Sequence, residues 1–213
     1  SIRPGDYVLI EFGTNDSKKS GPQNIYPNQD FSETYAEDDT TYRELLRRFV
    51  TDVRKKGAFP IIASPSARRQ DNLSGPGTLS AYAIAAMATA KEMGVPGIDL
   101  NSMGVELNIA LGAESTKQFG DRTHHVEYGS YLQAKCIVLG LKQANVPLAK
   151  FIVDDFGNFD PKKPEPTPAG FDLPADPRNA GGGRGGRAGA PAAAGARGAT
   201  AAPAAGSAAP KAP

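Results

Sequence analysis

Asp6-Tyr7-Val8-Leu9-Ile10-Glu11-Phe12 is a run of aromatic and branched apolar residues, bounded by Pro4-Gly5 on one side and Gly13 on the other. Short apolar runs between turn residues read as strands of a parallel sheet, here one buried on both faces. Further along, the period changes to that of a helix. Tyr42, Leu45, Leu46, Phe49, Val50 and Val53 share one face, Thr41-Tyr42-Arg43-Glu44 has the form of a capping box, and Gly57 sits where a C-terminal cap belongs. Residues 59–63 (FPIIA) predict a second strand. Residues 78–93 predict an alanine-rich helix with Leu79, Tyr82, Ala83, Ala86, Met87, Ala90 and Met93 on one face, stopped at Gly94. Residues 95–100 read as a third strand, 102–111 as a helix and 127–144 as the last helix. Strands alternating with helices imply parallel pairing through right-handed crossovers, hence an α/β fold with about three strands flanked by helices.

Composition divides the chain in two. Residues 160–213 carry ten of the 18 prolines, ten of the 24 glycines and one aromatic residue, Phe171, so they bury too little apolar surface to offset the entropy of ordering. They are expected to be a disordered tail. Residues 1–159 hold 17 basic and 19 acidic side chains and predict one globular domain. That near-neutral balance argues against nucleic acid as a partner; the Gly181–Gly189 segment of the tail (GGGRGGRAG) is similar to arginine-glycine segments that bind RNA, a weak signal because it lacks the interleaved aromatics that stack on bases. No run of about 20 apolar residues is present to span a membrane as a helix. Cys136 is the single cysteine and is expected to be a buried, inert thiol. Asp154, Asp155 and Asp160 match no metal-loop spacing, and no metal is expected.

In an open α/β sheet, ligands gather beyond the carboxyl ends of the strands. Three segments meet that condition: Gly13-Thr14-Asn15-Asp16, residues 64–69, and the stretch before the last helix. In the third, Asp121 precedes His124 by three residues. A carboxylate so placed can hold the imidazole Nδ1 and leave Nε2 free as a base, or it can simply cap the coming helix. In the first, Gly13 permits a sharp turn and the Asn15 amide can donate to an oxyanion; a plain Asn/Asp turn accounts for the same tetrapeptide. Arg68 and Arg69 are candidates for contact with anionic substrate groups, or two solvated turn arginines. Lys18-Lys19 reads as solvated, and His125, next to His124, as a rim residue.

Taken together, GDYVLIEFGTND (residues 5–16) and DRTHHVEYGSYLQA (residues 121–134) resemble the third and fifth conserved blocks of the SGNH (GDSL-type) hydrolases. TTYRELLRRFV, the turn ending in Arg68-Arg69, and IDL with the following helix resemble the rhamnogalacturonan acetylesterase branch, which often has histidine at the position of Thr14. The resemblance implies a flavodoxin-like sheet, with Asn15 as an oxyanion-hole amide, Asp121 as triad acid, His124 as triad base, and Gly13 and Asp16 as framing residues. It further implies an acetylated, pectic carbohydrate as substrate, no cofactor, and an extracellular or periplasmic destination. Oligomeric state is left open.

The family's nucleophile lies in a Gly-Asp-Ser block, and no such tripeptide occurs: Gly5-Asp6 is followed by Tyr7 and Gly120-Asp121 by Arg122. Ser17 and Ser64 are the substitutes nearest the predicted strand ends. The expectation is therefore an N-terminally truncated hydrolase domain over residues 1–159, inactive by itself, whose first strand lies open at a sheet edge and invites association. A noncatalytic carbohydrate-binding or assembly module on the same fold is the alternative.

Overall fold

The structure, a computed structural model, describes residues 1–18, 35–69 and 78–165. Contacts divide the chain into Ser1–Pro174 and Ala175–Pro213, and all of the described residues belong to the first unit. β1 (Tyr7–Glu11) pairs in parallel with β2 (Phe59–Ala63), in a register that sets Tyr7 opposite Phe59 and Glu11 opposite Ala63. β2 pairs in parallel with β3 (Gly97–Ile98), giving the order β1-β2-β3. Four helices flank this sheet: α1 (Arg43–Lys55), α2 (Ser80–Met93), α3 (Leu100–Leu111) and α4 (Glu127–Gln143). The expected α/β architecture with three parallel strands is present.

Successive strand residues point to opposite faces, and β2 uses both. Ile62 joins Ile10 of β1 in a cluster with Tyr42, Leu46, Val50, Val53, Tyr82 and Ala86, under α1 and α2. Ile61 and Ala63 join Ile98, Leu107, Leu132 and Cys136 under α3 and α4. The two layers explain why β2 is apolar without alternation. Cys136 is fully buried as expected, and burial, with a smaller contribution from Glu106, pushes its thiol up to about 12.

Several expectations are corrected. β1 is not buried on both faces: Ile10 is, but Leu9 is 45% exposed, because β1 is an edge strand and the cluster under α3 and α4 centres on β2 and β3. The Thr41–Glu44 capping box does not form. A wide turn over Asp38–Tyr42 leads into α1, the Tyr42 amide donates to Glu37 O (2.9 Å), and no side chain caps the helix. Tyr42 is drawn into the core and its hydroxyl donates to Phe12 O at 2.9 Å, which pulls the chain inward one turn early. β3 shrinks to two residues because Asp99 already caps α3, accepting from the Ser102 amide (3.1 Å) and hydroxyl (2.6 Å). Short 3-10 turns at Gly112–Gln118, Pro147–Phe151 and Asp154–Phe156 were not foreseen.

The packed part of the chain reaches past residue 159. Glu165 accepts from Tyr128 Oη through its carbonyl (2.7 Å) and pairs with Lys135 through its carboxylate (2.9 Å). The rest of the predicted tail, from residue 166, lies outside the described residues. Among the described residues no helix is long and apolar enough to cross a membrane.

At Gly140, α4 meets the sheet so closely that a Cβ would lie 2.4 Å from Ile98 Cγ2. Gly140→Ala gains about 1 kcal/mol of helix propensity but incurs overpacking of about 1–3 kcal/mol, so a net loss is expected. A lower urea midpoint at unchanged slope checks this; an unchanged midpoint would show that Ile98 can retreat freely. Among the described residues no strand pairs with the outer edge of β1, and Leu9 and Phe12 lie exposed beside it, which predicts self-association of the 213-residue chain. Light scattering should give a mass above that of a monomer, reduced by Leu9→Lys.

Candidate active site

The segment before α4 is a small hairpin. The Gly120 amide donates to His124 O and the Val126 amide to Gln118 O, both at 2.9 Å, and Phe119 and His125 form an antiparallel bridge. Its base is locked from below. Gln118 is fully buried and its side-chain nitrogen donates to Asn108 Oδ1 at 2.9 Å. Gly129, in the first turn of α4, lies against the Gln118 carbonyl, where a Cβ would be 2.1 Å from the oxygen, so no larger residue fits without moving the hairpin.

Asp121 and His124 occupy the tip. Asp121 Oδ1 accepts from the amides of Thr123 (2.6 Å) and His124 (2.8 Å), and Oδ2 lies 2.7 Å from His124 Nδ1. The His124 amide, then its ring, then the Thr123 amide hold the Asp121 carboxyl well below the usual aspartate range. With Nδ1–H donating to the carboxylate, the Nε2 lone pair points outward on a ring whose side chain is 82% exposed. Asp121 does not cap α4, which begins after Val126 with no side-chain cap. His125 turns the other way, half-buried with its ring 4.5 Å from that of Phe119. Burial, and secondarily His124, lowers its pKa, so it is a neutral packing residue and not a rim residue.

After β1, Gly13 has φ 124°, and a Cβ there would lie 2.9 Å from Pro65 Cγ; both conditions require glycine. The Gly13 amide donates to Asp16 Oδ2 (3.0 Å), the Ser17 amide to Gly13 O (3.2 Å) and the Lys18 amide to Asn15 O (3.0 Å). The Tyr82 hydroxyl bridges Asp16 O (3.1 Å) and Ala36 O (2.7 Å). Asp16 thus frames the turn and Asn15 stands exposed at its crest, lining a cavity of about 340 Å³ with Phe12, Tyr42, Leu45, Leu46 and Phe49. Neither Asp121 nor His124 lines that cavity, nor a larger one of about 600 Å³ between α4 and residues 153–165.

Residues 64–69 connect the two segments. Arg68 Nη2 donates to Thr14 O (2.6 Å) and Ser17 Oγ (2.9 Å), and the Arg69 amide donates to Arg122 O (3.1 Å). The guanidinium of Arg68, one of two expected to face substrate, is therefore turned into the protein. Arg69 is half-buried and tied through its backbone. Ser64 is fully buried, donating to Asp99 Oδ1 (3.2 Å) and accepting from the Asn101 amide (2.9 Å), which removes it as a nucleophile. Ser17 Oγ donates to Thr14 O at 2.9 Å and accepts from Arg68, with no bond to His124. Sequence reasoning missed Gln118, Asn108 and Asn101. Nothing in the local pattern marks a buried amide; its importance comes from the carbonyl it reaches. Among the described residues no group of three or more His, Cys, Asp or Glu side chains gathers to hold a metal.

No family model matches the chain. It is 31% identical over 174 residues to the rhamnogalacturonan acetylesterase RhgT of Bacillus subtilis, covering 73% of this chain and 69% of that protein. It is 29% identical over 162 residues to YesY, a probable rhamnogalacturonan acetylesterase of the same organism, covering 72% of this chain and 70% of that one. The fold matches the crystal structure of the YxiM protein of Bacillus subtilis with a TM-score of 0.55 at 23% identity, over 68% of this chain but only 39% of YxiM. With the parallel sheet, the Gly-Thr-Asn-Asp turn and the Asp121–His124 tip already in place, the likeness to RhgT makes this chain a member of the rhamnogalacturonan acetylesterase branch of the SGNH (GDSL-type) hydrolase family.

Proposed function

We propose that the chain supplies the acid, the base and one oxyanion donor of a serine esterase that removes acetyl groups from carbohydrate, most readily pectic rhamnogalacturonan. The observation that carries this reading is the 2.7 Å contact of Asp121 Oδ2 with His124 Nδ1, which leaves Nε2 as an outward-facing base. The substrate class follows from RhgT and YesY, whose names give rhamnogalacturonan acetylesterase.

In this mechanism a serine hydroxyl gives its proton to His124 Nε2 as its oxygen attacks the acetyl carbonyl. Asp121 stabilises the imidazolium without taking the proton. The Asn15 amide donates to the tetrahedral oxyanion, a contact worth about 2.7–4 kcal/mol in acyl transfer. As the intermediate collapses, the ester C–O bond breaks and His124 returns the proton to the departing sugar hydroxyl. Water, deprotonated by the same nitrogen, then attacks the acetyl-serine; the bond between the serine oxygen and the acyl carbon breaks, His124 returns the proton to that oxygen, and acetate leaves. Ser64 is buried and Ser17 is engaged elsewhere, so neither is a ready nucleophile; in this reading that role belongs to the serine of the Gly-Asp-Ser block that the family resemblance implies. Among the described residues no serine hydroxyl is hydrogen-bonded to His124.

The test uses the protein extended to include such a block, assayed on acetylated rhamnogalacturonan and on an activated acetate ester. His124→Ala should lower kcat by at least about 10³-fold, and Asn15→Ala by about 10²–10³-fold. The 213-residue chain should remain at the uncatalysed rate. Turnover unaffected by His124→Ala would end the esterase reading.

Asp121 also sets a pH expectation. Its pKa is depressed on folding, so its contribution to the hairpin is fully present above the ordinary value of about 3.9 and is lost only as pH falls through the lower folded value. A carbon-13 titration of the Asp121 carboxyl should therefore give a midpoint below about 3.9. A midpoint at or above that value would mean the contact to His124 does not persist in solution.

A further inference from the structure

We infer that Arg68 is a positioning residue for the oxyanion amide, holding the Asn15 turn at a fixed place relative to the Asp121–His124 tip rather than meeting substrate. The inference rests on the esterase reading above and deepens it.

The ladder between β1 and β2 ends at the Glu11–Ala63 pair, so no backbone pairing of the sheet reaches Asn15. A side chain takes its place. Arg68 Nη2 carries two hydrogens and meets two acceptors, Thr14 O at 2.6 Å and Ser17 Oγ at 2.9 Å. Thr14 O belongs to the peptide plane whose nitrogen is that of Asn15, so this bond fixes the rotation of that plane and with it the direction in which the Asn15 side chain leaves the turn. The Ser17 hydroxyl donates to the same oxygen, closing a small net around one peptide.

Arg68 is itself anchored at both ends. Its amide donates to Thr78 Oγ1 at 2.7 Å. Asn101, 3% exposed near the start of α3, donates from Nδ2 to both Pro65 O and Thr78 O at 2.9 Å. The next residue, Arg69, donates its amide to Arg122 O, which follows Asp121 directly. One short segment thus refers the oxyanion turn and the acid–base tip to the same buried amide. A misplacement of about 1 Å between such groups is enough to lose about 10²-fold in rate. A guanidinium that bound substrate would need its donors open, and Nη2 is already committed to two protein oxygens.

The test has a structural and a kinetic arm. In the 213-residue chain, Arg68→Met should speed amide hydrogen exchange at Ser17 and Lys18, which donate to Gly13 O and Asn15 O, by about tenfold or more at unchanged helix content. Unchanged exchange would overturn the tie, whatever the chain does to esters. In the extended, active protein, Arg68→Met should lower kcat about 10–100-fold with KM within about twofold, on a neutral acetate ester as well as on pectic substrate. In an Asn15→Ala background the same change should cost less than about threefold, because Arg68 acts through that amide. Arg68→Lys keeps a charged donor and should restore part of the rate, and it serves where Arg68→Met fails to fold. A raised KM confined to uronate-containing substrate, or an undiminished loss in the Asn15→Ala background, would make Arg68 a substrate contact and overturn the inference. Absence of His124-dependent turnover in the unsubstituted protein would instead remove the esterase reading, leaving exchange to decide the tie alone.

Discussion

The last rung between β1 and β2, Glu11 opposite Ala63, marks where regular hydrogen bonding stops and the site begins. Beyond it the turn after β1 is held by its own short-range backbone bonds and by side chains reaching its carbonyls and amides, since unpaired backbone groups removed from water are costly. Glu11 Oε1 accepts from the Ser66 amide, Arg68 reaches Thr14 and Ser17, and the Tyr42 and Tyr82 hydroxyls reach Phe12, Asp16 and Ala36. Burial raises both phenols above the ordinary tyrosine range, so they remain donors well into alkaline pH. The turn that carries Asn15 is therefore held by polar side chains of β2's exit loop and of the elements that pack on it, while the Asp121–His124 tip is tied to that loop through the Arg69 amide.

The acid–base tip uses strand alternation in miniature. His124 and His125 are adjacent, and the antiparallel bridge at Phe119 and His125 sends their rings to opposite sides. One ring is solvated and oriented by a carboxylate; the other is packed on Phe119 and kept neutral.

Much of this was legible in the sequence, and the limits are instructive. The three apolar runs, the helical spacing from Tyr42 to Val53, and Gly57 and Gly94 as helix stops depend on local periodicity and on backbone conformations that glycine adopts readily. Asp121 and His124 were readable because their contact spans three residues. What spans many residues was not. A separation of 54 in sequence between Thr14 and Arg68 hides the direction of a guanidinium, and Gln118, Asn108 and Asn101 look like ordinary surface amides until their burial is known. The exposure of Leu9 was half legible: the first strand was expected at a sheet edge, but not that the cluster under α3 and α4 would centre on β2 and β3 and leave one face of β1 bare.

That exposure bears on how the proposed chemistry would be completed. Phe12 and Phe49 stack with centroids 5.1 Å apart, and together with Leu9 they put apolar surface along the free edge of β1. Asn15 stands at the carboxyl end of the same strand, beside the cavity those phenylalanines line. On the opposite flank, Arg69 and Arg122 lead to His124. The exposed Leu9 and Phe12 lie along this strand and the exposed Asn15 just past its end, so under the proposed function whatever covers the apolar pair also approaches the oxyanion amide.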